Sequence, residues 1–281
     1  MAFAFPDRIN DRLVPDDVFA EAYDVLTPGE RAVIKTAIAR MAAVRGVAHS
    51  ASRRAATDMR QGFSLHESRG PVAWTVVLWD EAYAGPARVL AALVPAMLAG
   101  VPDILTCRVV RDGTPFPKPV LAALELAGQE LAAECGPEDA LDLAAHCCGQ
   151  NARGRLILLG RDAVYADIGR IAAERDTPLL RYGAPVRIGI AASTFAAPVS
   201  NDSLRLAHPD AALVPFEGDA AQGAFSAVFC AEAAVPGYLG SAPLVLTPGN
   251  EAYWSWPGLS RNFFVETDWA VSGDGPTPPA E

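Results

Sequence analysis

The chain has 281 residues, of which 51% are hydrophobic and 20% are charged, and its mean hydropathy is +0.17. This composition excludes a disordered chain, a collagen-like repeat and a small disulfide scaffold, and the length suits one large domain or two modest ones. The net charge of −10 argues against binding to nucleic acid or to an anionic membrane surface, so we expect neither partner. A small-molecule ligand in a local pocket remains compatible with this charge.

The chain carries no recognisable targeting signal, and its cysteines point to a reducing compartment. The N-terminus lacks a basic start followed by an apolar stretch, and the longest apolar run, 89–102, is too short to span a bilayer. An odd number of cysteines without a C-x-x-C pair favours reduced thiols and a cytoplasmic location. The five cysteines are Cys107, Cys135, Cys147, Cys148 and Cys230.

The first 60 residues are predicted to be helical. Thr27, Pro28 and Glu30 form a capping box that opens a helix, and an apolar stripe at helical spacing continues to a stop at Gly46. A second, arginine-rich helix is predicted from Ser52 to Arg60. We assign residues 1–68 to a helical arm that serves packing or oligomerisation.

From Pro71 the pattern changes to alternating strands and helices. The continuous apolar run at 72–79 is typical of a strand that is covered on both faces of a parallel sheet. Strand-like and helix-like segments then follow each other through short connections, which predicts an α/β fold. We therefore expect a parallel, doubly wound, three-layer core over 71–192, with the N-terminal helical arm and a short C-terminal extension.

Beyond residue 181 the pattern is less regular. Strands are predicted at 186–192, 225–230 and 243–246, followed by an aromatic-rich segment at 253–269 and a disordered tail. Trp254, Trp256 and Trp269 either line a ligand pocket or pack against the sheet and a partner subunit, and we favour packing. The resulting division is a Rossmann-like domain at 69–215, a C-terminal extension at 216–271 and a tail at 272–281.

Three segments of the α/β part of the chain carry the motifs of one known family, in the same order. Residues 89–101 match the family helix V-L-x-x-x-x-P-A-x-x-A-G-V, including its internal proline, and PKPVLAALELAG at 117–128 is similar to the next helix. GPEDALDLA at 136–144 occupies the place of G-G-A-Q-A-I-A-A-L-A. Over 71–160 the chain thus resembles histidinol dehydrogenase, a member of the aldehyde dehydrogenase-like superfamily, and this collinear resemblance implies the fold of that superfamily.

The resemblance also implies an oxidoreductase that uses NAD or NADP. The family's V-G-P-G-N segment is replaced here by LLGRD at 158–162, and the long second domain is mostly missing together with the segment that helps to hold zinc. We therefore expect no zinc, and the four histidines form no ligand pair. The stretch LAHPD at 206–210 is similar to the family's A-P-E-H-L segment, which makes His208 and Asp210 the candidate acid–base residues.

A dinucleotide would bind at the carboxyl ends of the parallel strands. The loops at 79–86, 136–139 and 160–162 lie there. Their acidic residues are unfavourable beside a diphosphate and are better explained as helix caps. The candidate cofactor residues in these loops are Asp80, Tyr83, Gly85, Gly136, Gly160 and Arg161.

Two functions follow from these residues. The first is a diverged, zinc-free, NAD(P)-binding oxidoreductase, and the alternative is a catalytically inactive scaffold of the same fold that binds a small molecule or a protein. A cysteine nucleophile is disfavoured, because the most exposed candidate, Cys148, ends a helix and lacks the dipole that lowers a thiol pKa. We also expect a homodimer, because the stripe of the helix at 27–44 and the C-terminal aromatic residues need a cover.

Overall fold

The described part of the chain, residues 3–46, 52–111, 113–191, 201–218 and 220–273, alternates between helices and strands in this computed structural model. In chain order these elements are α1 (Asp16–Val25), α2 (Pro28–Arg45), β1 (Arg53–Met59), β2 (Phe63–Pro71), β3 (Trp74–Asp80), α3 (Pro86–Ala99), β4 (Asp103–Val109), α4 (Lys118–Ala127), β5 (Ala132–Cys135), α5 (Pro137–Gly149), β6 (Gly154–Leu159), α6 (Val164–Glu174), β7 (Leu179–Tyr182), β8 (Arg187–Ala191), α7 (Asn201–Ala207), β9 (Ala212–Phe216), β10 (Ala227–Phe229), α8 (Val235–Tyr238), β11 (Val245–Leu246) and β12 (Val265–Gly273).

The first sheet has five parallel strands in the order β5-β4-β3-β6-β7. Every residue of the central strand β3 is buried, which explains why its sequence is one apolar run. Helices α3 and α4 pack on one face of the sheet, and α5 and α6 pack on the other. The predicted parallel, three-layer α/β core is confirmed.

Helix α3 is buried on nearly all sides. Pro86 occupies its first turn, and Gly100 ends it in the left-handed region with a φ of +81°. Its outer side is covered by α2, whose apolar residues Ile34 and Met41 are buried against it. The predicted capping box opens α2: Thr27 Oγ1 accepts from the Glu30 amide, and a Glu30 carboxylate oxygen accepts from the Thr27 amide. The apolar stripe of α2 is thus covered within the chain.

A second, smaller parallel sheet follows the first one. Its four strands lie in the order β11-β10-β8-β9, and α7 packs against both α2 and α3. We predicted one core up to residue 192, but the first sheet ends with β7 at Tyr182, and β8 starts the second sheet. Short apolar strands of the two sheets look alike in sequence, so periodicity alone does not separate them.

The predicted helix at Ser52–Arg60 is wrong. Residues Arg53–Met59 form strand β1, which pairs antiparallel with β2 around a turn in which Gly62 has a φ of +83°. Pairing with β2 overrides the helical preference of Arg and Ala in this short segment. Strand β12 pairs with the other edge of β2, so the C-terminal end of the described chain completes a three-stranded sheet with the N-terminal hairpin.

No helix in the described residues is both long and apolar enough to cross a membrane.

Packing at the amino end of β6 gives a direct test of this architecture. A Cβ atom at Gly154 would lie 1.9 Å from Cε2 of Trp74, a fully buried side chain. We expect Gly154→Ala to lower the free energy of unfolding by about 2 kcal/mol, because a close-packed core has no room for another methyl group. The measurement is chemical denaturation at equilibrium.

The matched control for this substitution is Gly169→Ala. Gly169 lies inside helix α6, and a Cβ atom added there would meet no other atom within 4 Å. This change should raise the free energy of unfolding by roughly 0.5 to 1 kcal/mol, because alanine is the better helix former. Equal effects of the two substitutions would contradict the packing described for β3 and β6.

Candidate functional site

The order of the strands creates a crevice between β3 and β6. In the first sheet, β4 and then β5 lie on one side of β3, and β6 lies on the other side. The connections leave these two strands toward opposite faces, so a crevice opens at their carboxyl ends, where doubly wound folds bind their ligands. The loops after β3 and β6 therefore form the first candidate site.

A carboxylate of the chain itself fills this crevice. Asp80 ends β3, and its Oδ2 accepts hydrogen bonds from the backbone amides of Arg161 (2.5 Å) and Asp162 (3.1 Å). Gly160 has a φ of +116°, and a Cβ atom there would lie 2.1 Å from Asp80 Oδ2, so glycine is required at this position. These two loop amides are therefore bonded to the chain's own carboxyl group and are not free to bind a diphosphate.

The basic side chains at the rim of the crevice are engaged as well. Arg111 donates to both carboxylate oxygens of Asp162 at 2.8 and 2.6 Å, and this pairing holds the pKa of Asp162 below its usual range. Asp162 also accepts from the Val164 amide in the first turn of α6, and Arg161 Nε donates to the carbonyl of Gly183 at 2.6 Å. These residues do not fit the diphosphate of NAD or NADP.

A second group of polar residues lies between the two sheets, at the start of α3. We call Tyr83, Arg88, His208, Asp210 and Trp254 the Arg88 cluster. The Arg88 guanidinium forms an ion pair with Asp210, which lies between α7 and β9, and is 4.4 Å from the centre of the Tyr83 ring. Arg88 is 1% exposed, so a positive charge is buried at the junction of the two halves.

Arg88 also covers the N-terminus of its own helix. Gly85 is the N-cap of α3, and a Cβ atom there would lie 2.5 Å from Arg88 Nη2. A helix N-terminus ordinarily attracts anions, and here a folded-back guanidinium and its partner Asp210 lie over it. The carbonyl of Arg88 accepts from Trp256 Nε1 at 3.0 Å, and Trp256 stacks on Tyr182 of β7 with ring centres 4.4 Å apart.

His208 is buried as a neutral imidazole. Its Nε2 lies 2.9 Å from the backbone carbonyl of Glu251, which only accepts, so Nε2 carries the proton and Nδ1 carries a lone pair. Burial, with the charge of Arg88 as a second cause, lowers the pKa of His208 from 6.5 to about 3. A base with such a low pKa accepts a proton from an alcohol poorly.

Four buried polar atoms of the Arg88 cluster lack a hydrogen bond of good geometry within the described chain, although the Tyr83 hydroxyl and the Arg88 guanidinium also interact with each other. They are Tyr83 Oη, Arg88 Nε, His208 Nδ1 and Trp254 Nε1. Burial raises the pKa of Tyr83 to about 12, against the opposing charge of Arg88, so its hydroxyl stays protonated. The cluster therefore offers two donors at Arg88 and Trp254, one acceptor at His208, and the Tyr83 hydroxyl, which can donate or accept. Leaving such a buried group unpaired costs about 1 to 3 kcal/mol.

The predicted site residues fall into three places. Asp80, Gly160 and Arg161 meet at the crevice between β3 and β6. Tyr83, Gly85, His208 and Asp210 meet in or beside the Arg88 cluster. Gly136 lies apart, at the end of β5 on the edge of the first sheet, where it caps α5.

Sequence reasoning missed Arg88 as a site residue, and for Trp254 it favoured packing over the lining of a ligand pocket. A signal for Arg88 was present, because it is the one charged residue in the apolar helix Pro86–Ala99. Burial of a lone arginine requires a partner, and that requirement points to a polar site. The position of Trp254 depends on chain folding that no local pattern reveals.

The described residues contain neither a metal-binding group nor an exposed cysteine that could act as a nucleophile. No set of three or more His, Cys, Asp or Glu side chains among the described residues is arranged to hold a metal ion. The one histidine of the Arg88 cluster faces the charge of Arg88, so this site does not fit zinc. All five cysteines are buried, and burial raises the pKa of Cys147 and Cys230.

Comparison with known proteins identifies the fold. No family model matches the chain, and no curated protein matches it either. Histidinol dehydrogenase from Elizabethkingia anophelis superposes with a TM-score of 0.58 and 13% identity, over 94% of this chain and 77% of that one. Succinate-semialdehyde dehydrogenase from Burkholderia pseudomallei has a TM-score of 0.49 and 13% identity, over 92% and 83%. The chain has the histidinol dehydrogenase-like fold that its sequence segments predicted.

Buried neutral His208 gives a stability prediction that depends on pH. Between pH 6.5 and about 3 the unfolded chain binds one more proton at this residue than the folded chain does. The free energy of unfolding should therefore lose about 1.4 kcal/mol from this residue for each pH unit below 6.5. His208→Gln should remove this contribution and leave a shallower slope in denaturation experiments between pH 6 and 4.

His66→Gln is the control for the His208 variant. His66 is exposed on β2, where its Nε2 contacts Ser272 Oγ at 2.9 Å. Its replacement should leave the pH dependence of the wild-type chain unchanged. Identical slopes for His208→Gln and wild type would show that His208 is not held neutral.

Proposed function

We propose that this chain is a catalytically inactive binding protein of the histidinol dehydrogenase-like fold, with the Arg88 cluster as its small-molecule site. The observation that carries the proposal is the set of four buried polar atoms that lack a hydrogen bond of good geometry in the described chain. Native proteins rarely leave such atoms unpaired, because each loses its hydration and gains nothing in return. A bound polar molecule supplies the missing partners.

The chemistry of the four atoms defines the ligand class. Arg88 Nε and Trp254 Nε1 donate, His208 Nδ1 accepts, and Tyr83 Oη can donate or accept. A ligand with a carboxyl or carboxamide group next to a hydroxyl group offers oxygen acceptors and one donor in a few atoms.

Three features argue against the NAD(P)-linked oxidoreductase that the family resemblance implies. The amides of Arg161 and Asp162 are bonded to Asp80. The low pKa of His208 weakens the candidate base, and Asp210 is paired with Arg88. NAD and NADP stay candidate ligands only if Asp80 moves out of the crevice, and the binding experiment below includes them for that reason.

Tyr83→Phe tests the proposed site with the smallest change. Small hydroxy acids and carboxamides, such as glycolate, lactate and glycolamide, should raise the melting temperature of the wild-type chain at millimolar concentration. Loss of the Tyr83 hydroxyl should weaken that binding about tenfold, because one ligand hydrogen bond disappears. Isothermal titration calorimetry measures the change.

Tyr165→Phe is the matched control. The Tyr165 hydroxyl is also buried and unpartnered in the described chain, but it lies in the core on the opposite face of the first sheet. Its loss should leave ligand affinity unchanged. The proposal would be contradicted by micromolar binding of NAD⁺ or NADP⁺. An equal ligand affinity of the wild-type chain and of the Tyr83→Phe variant would contradict it as well.

We also infer that the chain forms a homodimer, through the three-stranded sheet rather than through α2. Trp269 and Val271 of β12 are 59% and 68% exposed and lie on one face, two residues apart. Beside them lies a groove of about 390 Å³ whose lining is mixed: Ala55, Ala56, Trp269 and Ala270 are apolar, and Arg54, His66, Glu67, Ser68 and Asp268 are polar or charged. Exposed apolar surface of this kind favours a two-fold contact between copies. The free cysteines support a cytoplasmic location for the protein.

Light scattering coupled to size exclusion tests the dimer. The wild-type chain should elute with twice the monomer mass of 29.6 kDa. Trp269→Ser should shift the population to monomer, because it removes the largest exposed apolar side chain of the sheet. Val25→Ser, at another exposed apolar position, on α1, should leave the dimer intact. A wild-type mass that stays at one chain at every concentration contradicts the inference.

A further inference from the structure

Two cysteines of the first sheet lie in direct contact. Sγ of Cys107, on β4, is 2.9 Å from Sγ of Cys135, on β5, and both side chains are buried. A disulfide bond is about 2.05 Å long, so the two sulfur atoms are within about 1 Å of bonding distance. Neither residue belongs to the crevice between β3 and β6 or to the Arg88 cluster.

The register of the sheet brings the two thiols together. Cys107 pairs with Ala133, and Val109 pairs with Cys135, so the cysteines are offset by two residues on neighbouring strands. Side chains two residues apart on a strand share a face, so both sulfurs lie on the face that α5 and α6 cover. The contact is therefore set by the backbone pairing of β4 with β5. This diagonal offset separates the two Cα atoms by about 7 to 8 Å, slightly more than a disulfide spans, so closing the bond requires a small shift of the edge strand β5.

We propose that Cys107 and Cys135 form an oxidative modification site, at which a small peroxide converts the two thiols into an intrachain disulfide. One thiolate attacks a peroxide oxygen, which breaks the O–O bond, releases water or hydroxide and leaves a sulfenic acid. The second thiolate attacks that sulfur and expels hydroxide, which is protonated to water. In total, two thiols lose two electrons and two protons, and hydrogen peroxide becomes two molecules of water.

The surroundings of the pair set the rate of this reaction. The Cys135 partner and burial together raise the pKa of Cys107, so little thiolate is present in the closed state. Strand β5 is short and lies at the edge of the sheet, where the N-terminal segment covers it: the Val14 amide donates to the Ala132 carbonyl at 2.8 Å, and Leu13 bridges to Ala133. Local opening of this segment admits the peroxide, so the reaction is slower than that of an exposed thiol.

The test uses the intact native chain. It is treated with hydrogen peroxide, denatured, alkylated and digested without reduction. We expect the number of free thiols per chain to fall from five to three, with Cys107 and Cys135 recovered in one cross-linked peptide. The oxidised protein should melt several degrees higher than the reduced protein, because the bridge restricts the unfolded chain, and dithiothreitol should reverse the shift.

Single variants separate this pair from the other cysteines. Cys135→Ala should abolish the loss of two thiols, while Cys230→Ala, a buried cysteine in the second sheet, should leave it intact. Because the cross-linked peptide is measured on wild-type protein, the result does not depend on the variants folding. A link between Cys147 and Cys148, a link between chains, or sulfinic acid at Cys107 or Cys135 without a bridge would overturn the proposal.

Discussion

The buried guanidinium of Arg88 is the constraint around which the two halves of this chain are arranged. A charge that is 1% exposed needs a paired anion and hydrogen bonds, or it costs several kcal/mol. Asp210 supplies the anion from the segment that follows α7, so helix α3 of the first sheet is tied to the start of β9 in the second. Tyr83, Trp256 and His208 pack around this ion pair, so a group of polar side chains lies within the apolar core that α3 shares with the second sheet.

The crevice where doubly wound folds bind their ligands is occupied in this chain by one of its own side chains. In the crevice between β3 and β6, Asp80 bonds the amides that would otherwise attract a phosphate, and Gly160 provides the space for it. Both residues act on the chain itself: they fix the loop after β6 and fill the crevice. Function follows from such local chemistry rather than from the order of the strands.

Local patterns in the sequence predict those parts of the fold that local physics determines. Three predicted features are found in the structure, because each depends only on neighbouring residues. They are the apolar run of β3, the capping box at Thr27 and the glycine that ends α3. Strand β1 was missed because its conformation depends on pairing with β2. The second sheet was merged with the first because both are built from short apolar strands.

The candidate site was predictable in part for the same reason. The carboxyl ends of parallel strands identify the loops of Asp80 and Gly160 without any knowledge of tertiary contacts. Asp80 bonds to the loop after β6, and Arg88 pairs with Asp210. In both contacts the residues lie about 80 to 120 positions apart in the sequence, so no spacing pattern predicts them. The sequence signal that comes closest to predicting such a contact is a polar residue isolated in an apolar helix, as Arg88 is in α3.

A high-resolution crystal structure of the protein, grown with millimolar NAD⁺, tests the central claim most directly. We expect Asp80 to keep its bonds to the amides of Arg161 and Asp162, without a dinucleotide in that crevice. We also expect density for a small polar molecule in contact with Tyr83 Oη, Arg88 Nε and His208 Nδ1. A diphosphate bound at those two amides, with Asp80 displaced and no molecule in the Arg88 cluster, would contradict the account.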